Sequence, residues 1–499
     1  MISRLGRAVA LAAVTVLTVA GCAAGAGLSG TGGPDTLTVA LTAKPDNLDF
    51  TRTAGAAIPQ ALLDNVYEGL VRLDDSGAIV PLLADSWTVS PDRTVYEFAL
   101  HPDVAFSNGA PFTSDDVKFS IERVKSDWTA NTPGAMGVVD RVETPRPDLA
   151  RVVLSRPSNE WLFAMTGPIG AMFSPTGVAQ LATTAIGTGP YTVSRWNPGS
   201  ELQLRANPRY WGPEPAMTNV RLRYFADATA QANALRSGGV DVIFGLGAPQ
   251  LLGQFTGDPR FTVTQGTTNG EVVLSMNGAV APFDDIRVRR AVMYAVDRKA
   301  VRDTAYAGYG ELIGSMVPPT DPWFEDLTGV YPFDPDRARA MLAEAGLPNP
   351  AVRFDVPNLP YATAAAQVVA SQLQQVGFRV QINPVEFPAV WLDQVFTRHD
   401  YQMSVIQHSE PHDIVTFGNP KFYWGYDNPA VTALIAEADA ADTDVYVAKM
   451  RQVARTITDD AAADWLFLFP LLVVADSDLT GLPRNATSLA MDLSRVRRG

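Results

Sequence analysis

The sequence predicts a mixed α/β protein built from more than one domain. Its 499 residues exceed the length of one ordinary domain. Short alternating runs, such as TLTVAL at 36–41, read as strands. Between them lie stretches with helical apolar spacing that open on Asp or Thr and close on Gly. The two patterns interleave along the whole chain without tandem repeats, which favours mixed lobes over an all-α or all-β fold. A composition of 46% apolar and 18% charged residues is that of an ordinary globular protein. A formal charge of −14 argues against a nucleic-acid partner held through its phosphates.

The strand at 36–41 is broken by Pro45 and Asn47. Residues 61–70 carry helical spacing through Leu62, Leu63, Val66 and Leu70. At 94–100, Tyr96, Phe98 and Leu100 share one face of a strand. Thr113 opens a helix in capping-box fashion, with Asp116 answering from the third helical position. A short strand follows at 151–154. Gly187-Thr188-Gly189-Pro190-Tyr191 is a turn entering a strand at 191–196. A phosphate-cradling loop needs a helix N-terminus where Pro190 and this strand stand, so the motif is read as turn chemistry. A helix at 226–235 closes at Gly238-Gly239, before a strand at 240–244.

A second body begins near Gly270 with a strand at 272–276. Asp284 and Asp285 then cap a helix over 286–307. Asp334-Pro335 opens another helix and Gly346 ends it. Gly377 ends a helix over 364–376, and strands follow at 378–382 and 402–406. Helices at 431–438 and 445–457 precede one long apolar strand at 465–474.

The N-terminus has its own logic. Arg4 and Arg7 precede an uncharged run over 8–20, which is too short to span a bilayer and has the shape of a secretory signal peptide. It ends in Val19-Ala20-Gly21-Cys22, which resembles a bacterial lipobox. Cys22 is the single cysteine of the chain, so structural disulfides and cysteine metal sites are excluded. The expectation is a signal peptide over 1–21, a lipid anchor on Cys22 and a flexible tether over 22–35. That places the protein outside the cytoplasmic membrane, held to its outer face.

Ionisable chemistry concentrates in Ile406-Gln407-His408-Ser409-Glu410-Pro411-His412-Asp413. This one loop holds two of the four histidines. A metal site, an acid/base site and a binding-pocket floor all fit its residue types. His408 and His412 are four apart, but Pro411 lies between them and a strand precedes them, so they do not share a helix face. Metal through His408 and His412 is therefore the weaker reading. The chain has no GxSxG elbow, no GK[ST] loop and no HExxH pair, so neither an enzyme nor a cofactor is expected.

Several segments together resemble the bacterial extracellular solute-binding proteins of family 5, the oligopeptide, dipeptide and nickel receptors of ABC importers. They are DNVYEGLV at 64–71, PLLADSW at 81–87, VAFSNG at 104–109 with DDVKFS at 115–120, GTGPY at 187–191, NPRYW at 207–211, IRVRRAVMYAVDR at 286–298 and RARAMLAEAG at 337–346. The resemblance implies a two-lobed periplasmic-binding-protein-like clamshell (type II, mixed sheets) with an extra inserted domain. It assigns 36–50, 185–270 and 470–499 to a base lobe, 51–184 to the extra domain and 271–469 to the second lobe.

Solute would lie between the lobes, and closure around it would be read by a permease with its ATPase. A monomer is expected. Peptide-binding members hold the peptide ammonium with an Asp in the loop after the strand at 402–406. Here that position falls near Gln407, which carries no charge, so Glu410 or Asp413 is the expected substitute, with His408 and Gln407 itself as further ligand contacts. Thr53, Ala54 and Gly55 leave the first strand where members line the cleft. Trp424, in the aromatic run 422–428, offers apolar area with a hydrogen-bond donor. Arg353 and Arg398 read as solvated surface charges. The alternative ligands are a metal chelate, haem or an oligosaccharide, and the alternative role is an envelope sensing or assembly lipoprotein.

Overall fold

The computed structural model describes residues 33–130 and 133–499. The expected signal peptide, Cys22 and the expected tether up to residue 32 lie outside the described residues. From Gly33 onward the chain turns directly into the strand Thr36–Leu41, which is buried along its whole length. That strand pairs in parallel with Asn219–Tyr224 on one side and Val242–Phe244 on the other. Around it a seven-stranded sheet runs in the order Phe261–Gly266, Leu471–Asp476, Val242–Phe244, Thr36–Leu41, Asn219–Tyr224, Glu201–Ala206, Tyr191–Asn197.

A five-stranded sheet runs in the order Arg379–Val385, Ala351–Pro357, Met403–His408, Glu271–Met276, Ala463–Leu468. One face packs Val272, Leu274, Met276, Met403 and Val405 against helices that include Ile286–Ala295 and Pro360–Val376. The other face packs Val273, Ile406 and Trp465 against an aromatic layer containing Phe417, Tyr423 and Trp424. A separate four-stranded sheet, covered by the helix Ser114–Asp127, carries Ala84–Val89, Val95–Leu100, Leu149–Leu154 and Val139–Arg146. The Thr113–Asp116 capping box forms as expected.

Three sequence readings need correction. The apolar run at 465–474 is two strands: Ala463–Leu468 pairs in the five-stranded sheet and Leu471–Asp476 in the seven-stranded one. Pro470 has no N–H to donate, and the ladder changes partner there. The expected helix over 286–307 breaks at Val296, and Asp297 caps a second helix, Arg298–Ala305, by accepting from the Ala300 N–H at 3.1 Å. Residues 61–70 are helical only to Leu62. Beyond it the Asn65 and Val66 carbonyls accept from the Tyr191 and Gly189 N–H groups at 2.8 and 3.0 Å, so the apolar spacing reports burial without a helix.

The chain passes between the two large sheets twice, at 267–270 and at 469–470. Both passages are tied down. The Thr268 hydroxyl donates to the Phe469 carbonyl at 2.7 Å, the Asn269 amide to the Thr487 carbonyl at 2.9 Å, and the Thr267 N–H to Asn485 Oδ1 at 3.0 Å.

Residues 156–163 also reach across to the helices Pro429–Asp439 and Thr443–Asp459. Asp439 accepts from Arg156 at 2.6 Å and from the Ser158 hydroxyl at 2.8 Å, and Tyr446 donates to Glu160 at 2.6 Å.

Candidate functional site

Where the two passages meet, a cavity of about 750 Å³ opens between the sheets. The first sheet's side contributes Phe244–Leu246 and Gln250, and the second sheet's side contributes Tyr306, Tyr361, Gln407 and Ser409. The passages themselves supply Thr268, Asn269, Gly270 and Phe469, and the C-terminal segment closes a wall with Ala486 and 488–490. Ala56 and Gln60 complete the rim. The volume suits a ligand of a few residues or a sugar of similar size.

The chemistry of the wall is specific. None of the lining residues is Asp, Glu, Lys, Arg or His. Amides (Gln60, Gln250, Asn269, Gln407) and hydroxyls (Thr268, Ser409, Ser488) supply the hydrogen bonding. Phe469 meets Tyr306 edge-on at 4.4 Å and Tyr361 at 4.9 Å, forming one aromatic panel. Burial pushes both tyrosine hydroxyls up to about 12, so they stay neutral. The Gln407 N–H donates to the Tyr361 hydroxyl at 3.0 Å, which fixes that ring. Gly270 permits close packing, because a Cβ there would collide with the Gln407 amide.

The alternation of the strand Met403–His408 decides which loop residues face the cavity. Gln407 points into it and His408 points to the opposite face. His408 Nε2 is 2.7 Å from the Tyr423 hydroxyl, and Nδ1 lies 3.7 Å from Asp413 Oδ2. Burial lowers the His408 pKa to about 4, so its ring is neutral. Asp413 is buried behind the wall, and burial followed by the Glu410 charge raises its pKa well above the carboxylate range.

Glu410 is exposed and accepts from the Ser409 N–H at 3.2 Å, outside the lining. Trp424 is 1% exposed, stacks on Phe417 at 5.1 Å and donates to the Thr416 hydroxyl at 3.0 Å, so its place is the core. Thr53, Ala54 and Gly55 stop just short of the rim, which starts at Ala56. Of the expected ligand contacts, only Gln407 therefore lines the cavity directly.

His412 belongs to a different cluster from His408. Its ring stacks on Phe163 at 3.4 Å, with Nδ1 3.4 Å from Glu160 and Nε2 3.9 Å from Asp321. Burial opposes its charge, but the Glu160 and Asp321 carboxylates outweigh burial and raise its pKa. The two histidines thus share no metal geometry. Tyr306, Tyr361, Phe469 and Asn269 escaped the sequence reading. No local pattern marks them, since the wall is assembled from segments far apart in the chain.

Residues 78–430 match the family described as bacterial extracellular solute-binding proteins, family 5 (middle region). The chain belongs to this family. Among curated relatives, the glutathione-binding protein GsiB of Shigella flexneri is 28% identical over 352 residues, 67% of this chain and 66% of that protein. The match thus spans just under two thirds of GsiB. Di/tripeptide-binding protein 2 of Pseudomonas aeruginosa is 27% identical over 392 residues, 71% of this chain and 73% of that protein. The crystal structure of the ABC transporter substrate-binding protein CtaP from Listeria monocytogenes superposes with a TM-score of 0.82 at 19% identity, covering 93% of this chain and 99% of that one. As a family 5 solute-binding protein with this architecture, the chain has the type II periplasmic-binding-protein fold. The family and these relatives are solute-binding proteins rather than enzymes.

Proposed function

We propose that this family 5 protein is the lipid-anchored receptor of an ABC importer. In this reading it captures short peptides between the two large sheets and presents them to a permease. The observation that carries the reading is the cavity at the two passages, lined from both sheets by hydrogen-bonding groups and an aromatic panel. A ligand touching both sides stabilises the arrangement that holds them together. In this proposal 36–50, 185–270 and 470–499 move as one lobe, 271–469 as the other, and 51–184 rides as an extra domain. The importer's permease and ATPase are the partners, and the protein works as a monomer.

The uncharged wall shapes the expected specificity. A hydrogen bond to a charged group contributes about 1.5–3 kcal/mol, which is tenfold or more in affinity. With no carboxylate in the lining, N-acetylation of a di- or tripeptide should cost less than that. Isothermal titration of the purified protein with free and N-acetylated peptides is the measurement. Comparable affinities support the reading, whereas a hundredfold loss on acetylation would show that a carboxylate such as Glu410 or Asp413 reaches the ligand. If no peptide binds, the same uncharged amide and aromatic wall favours a neutral oligosaccharide, which the same titration tests.

The anchor has its own test. Changing Cys22→Ala should move the protein from the membrane fraction to the soluble fraction of its host. Continued membrane association would remove the lipobox reading.

A further inference from the structure

Directly behind the cavity wall lies a group of side chains that solute capture does not use. Glu271 and His408 are opposite partners in the antiparallel ladder, so they project from the same face of the sheet. Asp413 and Glu410 come round from the loop onto that face. One ligating atom from each of His408, Glu410 and Asp413 falls within 4.8 Å of the others.

Two buried oxygens of the group lack a hydrogen-bond partner among the described residues. Asp413 Oδ2, in a side chain 5% exposed, has no hydrogen-bond partner and faces His408 Nδ1 at 3.7 Å. Glu271 Oε2, in a residue 1% exposed, is likewise without a partner. In their ionised form, buried carboxylates in this condition are costly unless a positive charge meets them. Among the described residues, the only basic side chain within ion-pair distance of Glu271, Glu410 or Asp413 is His408.

We propose that His408 Nδ1, Asp413 and Glu410 hold a divalent transition-metal cation, with Glu271 beside it balancing charge. Mixed imidazole and carboxylate donors suit zinc-class ions, whose tetrahedral ligand atoms stand about 3.4 Å apart at bonds of about 2.1 Å. The 3.7 Å separation of His408 and Asp413 is close to that value, and exposed Glu410 is free to close the remaining gap. With Nδ1 on the ion, Nε2–H donates to the Tyr423 hydroxyl 2.7 Å away, an outer partner that holds the ring in place.

The ion is not cargo, because its ligands face away from the cavity. Its effect is to pin the loop at 408–413, whose Ser409 lines the cavity, and so to couple metal occupancy to solute affinity.

The test uses the untagged full chain, stripped with EDTA, dialysed and titrated with Zn²⁺ and Co²⁺. One equivalent should bind, and Co²⁺ should give the intense visible absorption of a low-symmetry, four-coordinate site. Asp413→Asn, which keeps the shape of the side chain, and His408→Ala should each weaken binding by about 10–100-fold. Glu160→Gln, in the neighbouring His412 cluster, should leave it unchanged. A stripped wild-type protein that binds no Zn²⁺ at millimolar concentration overturns the proposal, as does equal binding by wild type and Asp413→Asn. Peptide titrations with and without the metal keep this outcome separate from solute capture itself.

Discussion

Replacing Arg298 by Met should destabilise the protein by about 3–5 kcal/mol, the cost of leaving a buried charge without its partner. Arg298 Nε lies 2.6 Å from Asp464 Oδ1, and the two side chains are 8% and 0% exposed. The guanidinium also donates to the Thr328 carbonyl at 3.3 Å. Among the described residues Asp464 Oδ2 has no hydrogen-bond partner and Arg298 is the one cation paired with the carboxylate. Burial raises the Asp464 pKa and Arg298 opposes the rise. Removing the arginine therefore leaves an acid that must either stay charged and unsolvated or take up a proton. Urea unfolding at neutral pH reads the loss directly. Adding Asp464→Leu should recover much of it, since an apolar pair of similar volume removes the orphan. A single variant as stable as wild type would mean that the pair contributes nothing.

Trp424→Ala should cost a comparable 3–5 kcal/mol, through the cavity left by a large buried ring. The ring is 1% exposed, stacks on Phe417 and lies 4.2 Å from Tyr423. It is not a cavity-lining residue, so the folded fraction of the variant should bind solute within a few-fold of wild type. Gln407→Ala is the contrasting change, since Gln407 lines the cavity. There the expected result is weaker binding with near-normal stability. Measuring unfolding and solute titration on both variants separates a core role from a recognition role. A Trp424→Ala protein of normal stability that has lost its ligand would reverse the assignment.

The family strings were legible because they build the frame, where particular residue types answer one another across the chain. Glu68 is buried and accepts from Thr188 at 2.7 Å, Trp211 at 3.0 Å and Tyr210 at 3.2 Å. Three of the recognisable motifs thus converge on one carboxylate. Gly187 and Gly189 lie so close to the Val66 and Asn65 carbonyls that a Cβ would collide with them. Asn65 in turn donates to the Met491 carbonyl at 2.7 Å.

Caps and breakers such as Asp285, Asp334-Pro335 and Gly377 were legible for a more local reason: each acts within one turn of chain. The cavity wall was not, because it joins residues from 56 to 490 with no periodicity in common. The conspicuous loop His408–Asp413 was legible as a concentration of charge but not in its direction. A run of ionisable residues shows where charge is concentrated, but strand alternation decides which side of a sheet receives it.

The segment that closes the cavity from the C-terminal side carries a further implication. Residues 484–490 are made after every other part of the wall, and they also supply partners for both Thr267 and Asn269. A nascent or exported chain therefore completes its cleft only when this stretch emerges. Truncation before it, or a fusion that pulls it away, would leave a protein with most of its secondary structure in place and no closed compartment to fill.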